Sequence, residues 1–179
     1  MVFYSTRSRE IQAASAEAVL KGIAPDGGLY TPLDFSAMRV DLGDLLGKSA
    51  VEISAVVIGK ILNDFFPQEM RELIDAAHAG KFETEDLTPV EKVGEDFVLE
   101  LFRGPTSAFK DVALSVLPRL IVASRSKLGV EEEIVILTAT SGDTGKAALE
   151  GFRDVDGTRI IVFYPDGGVS DVQDRKSVV

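Results

Sequence analysis

Cysteine and tryptophan are absent from this 179-residue chain, and histidine occurs once, as His78. Without cysteine there is no disulfide scaffold, thiolate zinc site, iron–sulfur cluster or cysteine nucleophile, and one histidine cannot build a multi-histidine site. No metal is expected. Basic residues are in deficit, with 19 Lys and Arg against 29 Asp and Glu and a net charge of −10. Nucleic acid is held by a basic face or stripe, so it is not an expected partner. No apolar run reaches the roughly 20 residues that cross a bilayer, and the N-terminus MVFYSTRSREIQAAS lacks an apolar signal core. The expectation is a cytoplasmic chain without a membrane anchor.

What is present is globular in composition, 45% hydrophobic and 27% charged. A chain of this length can bury roughly 70% of the surface it exposes when unfolded, as one domain with at most a small appendage. The spacing of Ile11, Ala14, Ser15, Ala18 and Val19 predicts a helix, with Ser8 as cap and Gly22 as stop. A loop punctuated by Pro and Gly follows over 24–32. Two amphipathic helices are expected at 49–65 and 67–79, the second opened by Pro67 and closed by Gly80. His78, near the end of that helix, reads as a surface histidine favoured by the helix dipole.

The pattern changes at about residue 88. Stretches 89–93 and 97–102 read as a hairpin turning at Gly94-Glu95. A helix over 106–127, kinked or divided by Pro118, precedes a strand at 133–137, a helix at 144–152 and a strand at 158–163. Strand, helix and strand at this spacing imply a parallel sheet. The fold class is therefore α/β, with a mainly helical N-terminal subdomain over 1–87 and the start of an α/β domain over 88–179.

Two joints in the second half carry chemistry. Leu137-Thr138-Ala139-Thr140-Ser141-Gly142-Asp143-Thr144-Gly145-Lys146 leaves an apolar strand and opens a helix, placing hydroxyls and backbone N–H groups at the carboxyl edge of the sheet, where α/β folds bind ligands and helix starts hold anions. A plain capped turn, with Thr140 or Ser141 as cap, is the bland alternative. A Walker A loop needs glycine at 140 and Ser or Thr at 147, where the chain has Thr140 and Ala147, so an NTPase is disfavoured. Asp143-Thr144-Gly145 spells the aspartic-protease triplet, but in a helix-opening position with no second facing carboxylate. The other joint, Leu101-Phe102-Arg103-Gly104-Pro105-Thr106-Ser107-Ala108-Phe109-Lys110-Asp111, puts Lys110 in the first turns of a helix among apolar neighbours. A desolvated lysine there is suited to forming a Schiff base; by itself, a helical lysine is a solvated surface residue.

Four stretches in order carry a resemblance: Ser5-Thr6-Arg7 and Glu17-Ala18-Val19-Leu20 with Asp26-Gly27-Gly28-Leu29-Tyr30; Glu100 through Gly104-Pro105-Thr106 to Asp111; Thr138 to Gly145; and Tyr164-Pro165 with Gly168-Val169-Ser170 and Gln173. Together they resemble the N-terminal part of threonine synthases, pyridoxal-phosphate enzymes of the fold that includes tryptophan synthase β and serine dehydratase. The resemblance implies a lyase of threonine biosynthesis that converts O-phospho-L-homoserine and water to L-threonine and phosphate. It implies that Lys110 binds pyridoxal 5'-phosphate as a Schiff base and shuttles protons. Thr140, Ser141, Gly142 and Thr144 would hold the substrate carboxylate, and Asp143 would lie near the cofactor's 3'-oxygen.

The chain departs from the family at Arg103, where histidine is common, and at Asp166 and Gly167, near which cations often stand. The resemblance also implies that the cofactor-phosphate loop and the partner of the pyridine nitrogen lie in a later part of a longer family chain, and the ending 174–179 no longer follows the family. The expectation is an N-terminal fragment, inactive alone, with self-association through an exposed sheet edge. The alternative is a non-catalytic remnant or interaction module that keeps the first half of the fold.

Overall fold

The computed structural model describes residues 1–140 and 142–165. Ser141 and everything after Pro165, including the stretch matched at Gly168-Val169-Ser170 and Gln173, lie outside the described residues. Packing sorts the chain into two compact units, one of Met1–Asp75 with Leu120–Glu131, the other of Ala76–Arg119 with the described residues from Glu132 onward.

Helices form in the first half where periodicity predicts them, together with a small sheet that the periodicity does not reveal. Strands β1 (Phe3–Ser5), β2 (Gln12–Ala13) and β3 (Tyr30–Pro32) pair antiparallel in the order β2-β1-β3, with Phe3 opposite both Ala13 and Pro32. Pairing with β1 occupies residues 12–13, so the helix predicted from Ile11 starts later, as α1 (Ser15–Lys21). Ser8 is not its cap. The Ser8 hydroxyl accepts from Glu10 N in a local turn, while the first turn of α1 is satisfied from afar by Asp64, whose carboxylate accepts from Ala16 N at 2.9 Å. Gly22 ends α1 at φ 67°, the left-handed conformation the stop signal anticipates.

Helix α2 (Ala50–Ile61) opens with a capping box: Ser49 Oγ accepts from Glu52 N, and the Glu52 carboxylate accepts from Ser49 N. Helix α3 (Pro67–His78) begins at Pro67 as predicted and is followed by Gly80 at φ 68°. The histidine at its end is not on the surface. His78 is 3% exposed, on the same helical face as the fully buried Met70, Ile74 and Ala77. Its Nε2 lies 3.1 Å from Val112 O, which can only accept, so Nε2 donates; the ring also meets Phe82 edge-on at 5.3 Å. Burial pushes its pKa below 6.5.

In the second unit the hairpin forms as predicted: β4 (Val90–Val93) pairs with β5 (Asp96–Leu99), closing Val93 on Asp96 with Gly94 at φ 64°. The second strand stops at Leu99, short of Phe102. Helix α4 (Asp111–Lys127) starts five residues later than predicted and runs through Pro118 as one element. Pro118 has no N–H for the Leu114 carbonyl, and that carbonyl lies against Gly151, where a Cβ would collide with it. Strands β6 (Ile134–Ala139) and β7 (Thr158–Phe163) pair parallel from Ile134–Thr158 to Ala139–Phe163, connected through α5 (Asp143–Phe152), the strand–helix–strand unit the sequence predicts. Gly145 lets α5 approach: a Cβ there would collide with Thr140 Cγ2 and meet Val162 Cγ1 at 3.0 Å.

Candidate active site

Lys110 occupies the last position before α4, at the end of a five-residue turn rather than inside the helix. Asp111, 2% exposed, builds that turn. Its carboxylate reaches back to accept from Thr106 N at 2.8 Å and Thr106 Oγ1 at 2.5 Å, so the residues that sequence periodicity assigns to a helix are satisfied as a loop instead. Gly104 closes the turn's other side, since a Cβ there would lie 2.5 Å from the Asp111 carboxylate. Lys110 itself is half-buried, with Nζ 4.3 Å from the centroid of the Phe109 ring.

The second joint leaves the carboxyl ends of both parallel strands. Thr140 N donates to Phe163 O at 2.9 Å, which ties the loop to the end of β7, and Thr140 Oγ1 accepts from Gly142 N at 3.5 Å. Helix α5 then starts behind Gly142 with no side-chain cap. Asp143 and Thr144, its first residues, are both exposed. Gly142 itself has no side chain to cap the helix, and a helix start carries N–H groups and the positive end of the helix dipole, which favour an anion.

What ties the two joints together is a residue the sequence reading passes over. Lys146, one turn into α5 and only 8% exposed, donates from Nζ to Thr106 O at 2.5 Å. Thr106 is thus held three times, twice by Asp111 and once by Lys146, and Lys110 hangs from the end of that clasp. The only sequence signal for Lys146 is its place after Thr144-Gly145, at the end of the strand–helix joint.

Arg103 is engaged within the protein, bonding Glu100 through Nε (2.8 Å) and Nη2 (2.6 Å) and Glu83 through Nη1 (2.8 Å), which raises its already high pKa. Among the described residues, no group of three or more His, Cys, Asp and Glu could hold a metal ion, and no helix is long and apolar enough to cross a membrane.

The class comes first from the fold. The structure superimposes with a TM-score of 0.86 on a pyridoxal-phosphate-bound enzyme from Brucella melitensis, at 38% identity over 98% of this chain and 38% of that one. That enzyme is a threonine synthase, and the yeast threonine synthase also matches at a TM-score of 0.86, with 30% identity over 98% of this chain and 37% of its own. Residues 2–78 match the family described as Threonine synthase N terminus, and the Pseudomonas aeruginosa threonine synthase is 35% identical over 179 residues. The chain matches the N-terminal part of threonine synthases, spanning about 38% of the length of the P. aeruginosa enzyme.

Proposed function

We propose that this chain supplies the lysine and the substrate loop of a threonine synthase, converting O-phospho-L-homoserine and water to L-threonine and phosphate with pyridoxal 5'-phosphate. The observation that carries this is the clasp: Lys110 ends a turn fixed by Asp111, and Lys146 bonds that turn to α5, the helix that follows the loop. These residues fit the cofactor, because a half-buried amine beside an aromatic ring offers a covalent attachment point, and the helix start offers donors to a carboxylate.

The cofactor, when bound, supplies the electron sink for breaking bonds on the substrate. The remaining roles fall to this chain. Lys110 Nζ holds the cofactor and moves protons between substrate carbons. The hydroxyls of Thr140, Ser141 and Thr144, with the Gly142 backbone, would hold the substrate carboxylate, and Asp143 would help to hold the cofactor. Phosphate leaves before water adds, which requires water to be kept out until then. The region from 88 onward is read as the start of the cofactor-binding domain, and the protein as cytoplasmic. Self-association is part of the same reading, since the two-stranded β6–β7 sheet leaves Leu137 and Phe163 64% and 61% exposed.

The test is to incubate the chain with pyridoxal phosphate, reduce with borohydride and map the labelled peptide. Label on Lys110 and its loss in Lys110→Ala are expected; label on Lys127 or Lys146 instead overturns the assignment. Phosphate release from O-phospho-L-homoserine by the 179-residue chain alone is expected to be undetectable, and turnover dependent on Lys110 would show that the chain carries more of the site than proposed.

A further inference from the structure

The lysine chemistry gives no role to His78, the chain's single histidine. Yet within the second unit its ring reaches the helix that follows Lys110. Nε2 donates to the carbonyl of Val112 at 3.1 Å, in the first turn of α4 and two residues beyond the lysine. The ring is 3% exposed and is braced edge-on by Phe82 at 5.3 Å. Nδ1 is buried and has no hydrogen-bond partner among the described residues. A donating Nε2 and a bare Nδ1 define one neutral tautomer, set by the carbonyl of Val112.

The turn before Lys110 needs support from outside. Ser107 sits in it at φ 59°, a left-handed conformation that residues with a side chain rarely adopt and that persists only where surrounding contacts impose it. On the loop side those contacts are the two that Asp111 makes with Thr106. On the helix side Lys110 O accepts from Leu114 N at 2.9 Å, which binds the lysine's own backbone to the first turn of α4, and that turn is where His78 holds Val112. The two residues after Lys110 are therefore anchored separately, Asp111 to the loop through its side chain and Val112 to the end of α3 through its carbonyl.

We propose that His78 is a positioning residue for Lys110: its Nε2–H fixes the first turn of α4 through the Val112 carbonyl and so holds the backbone from which the lysine projects. That this serves a cofactor rests on the reading of Lys110 given above; that the turn is held does not. The neutral ring does the holding. Protonation would place a charge and a second N–H, at Nδ1, in a buried position with no acceptor among the described residues. Lys81, the cation in the segment after α3, opposes that charge, and the Asp111 carboxylate at the start of α4 is committed to Thr106.

The test compares His78→Leu, which keeps an apolar side chain and removes the donor, with His78→Gln, whose amide N–H can reach the same carbonyl. Hydrogen exchange followed by amide NMR should quicken about five- to tenfold at Asp111 and Leu114 in His78→Leu, the loss of one net hydrogen bond, with the amides of α2 unchanged. His78→Gln should return both amides to within about threefold of the parent. A single histidine gives one set of ring signals, so a second measurement needs no substitution and decides the matter if His78→Leu does not fold. As pH falls, Asp111 and Leu114 should lose protection, corrected for intrinsic exchange, at the midpoint where the ring titrates and before the amides of α2 do. Trapping pyridoxal phosphate with borohydride then reads the lysine: the share of label on Lys110 should fall in His78→Leu and recover in His78→Gln. Unchanged exchange in His78→Leu, equal quickening in both variants, protection indifferent to ring titration, or an unaltered share of label would each overturn the proposal. Label absent from Lys110 in the parent refutes the cofactor reading instead, and the exchange comparison still decides whether His78 holds the turn.

Discussion

Asp111→Ala tests whether the lysine turn is held as the structure indicates. The Asp111 side chain is 2% exposed and Thr106 is 5% exposed, so neither the Thr106 amide nor its hydroxyl can turn to water when the carboxylate is removed. Hydrogen bonds to a charged acceptor contribute about 1.5–3 kcal/mol each; two bonds to one carboxylate are not additive, so a loss of about 3–5 kcal/mol is expected. That is a large fraction of the roughly 5–15 kcal/mol by which domains are stable. Thr106→Val removes only the 2.5 Å hydroxyl bond and should cost about 1.5–3 kcal/mol. The two should also differ in locality, because Asp111→Ala frees the amide of Thr106 as well and loosens the turn that ends in Lys110. Urea unfolding followed by circular dichroism, with the denaturant slope checked for constancy, measures the energies, and amide exchange over 104–110 measures the loosening. A cost below about 1 kcal/mol for Asp111→Ala, or equal amide protection of the turn in both variants, would refute the clasp.

Two further outcomes follow from packing and burial. Gly151→Ala drives a methyl into the Leu114 carbonyl, a backbone atom that cannot swing aside, and should destabilise by about 1–3 kcal/mol in the same unfolding assay; a neutral result would mean that α5 does not approach α4 this closely. For His78 the folded-state pKa lies below 6.5, so as pH falls through 6.5 the unfolded chain takes up a proton that the folded chain refuses. Its contribution is therefore complete above 6.5 and is lost on acidification; urea midpoints compared at pH 7.5 and 5.5 should fall more for the parent than for His78→Gln, and parallel slopes would count against it.

The parts of the fold that sequence reveals are those set by local patterns. Pro67 at the first position of α3, Gly94 in the hairpin and the apolar runs of β6 and β7 each act through neighbours a few residues away, and each appears where expected; the Ser49 and Glu52 capping box is equally local. The errors arise where distant partners win. Residues 12–13 carry helical spacing, but strand pairing with β1 takes them, and the cap expected from Ser8 comes from Asp64, 48 residues beyond the amide it serves. For His78 the place near a helix end suggests a dipole contact, whereas its spacing from Met70 and Ile74 places it on the buried stripe. That spacing was available, and the stripe outweighs the dipole once Val112 supplies an acceptor.

The candidate site shows the same division one level up. Glycine, proline and hydroxyl residues mark the two joints as the ends of strands and the starts of helices, while the roles of Lys110 and residues 140–144 come only from the resemblance. Their geometric relation was not legible, because it depends on Asp111 turning back on its own loop and on Lys146 crossing from α5 to Thr106, 40 residues away. Lys146 is buried while bonding a neutral carbonyl, and removing an ammonium from water is costly unless its contacts compensate. The turn that carries Lys110 is held from both sides, by the carboxylate of Asp111 at the start of the following helix and by the ammonium of Lys146 in α5. Loss of either contact should therefore loosen the turn that ends in Lys110.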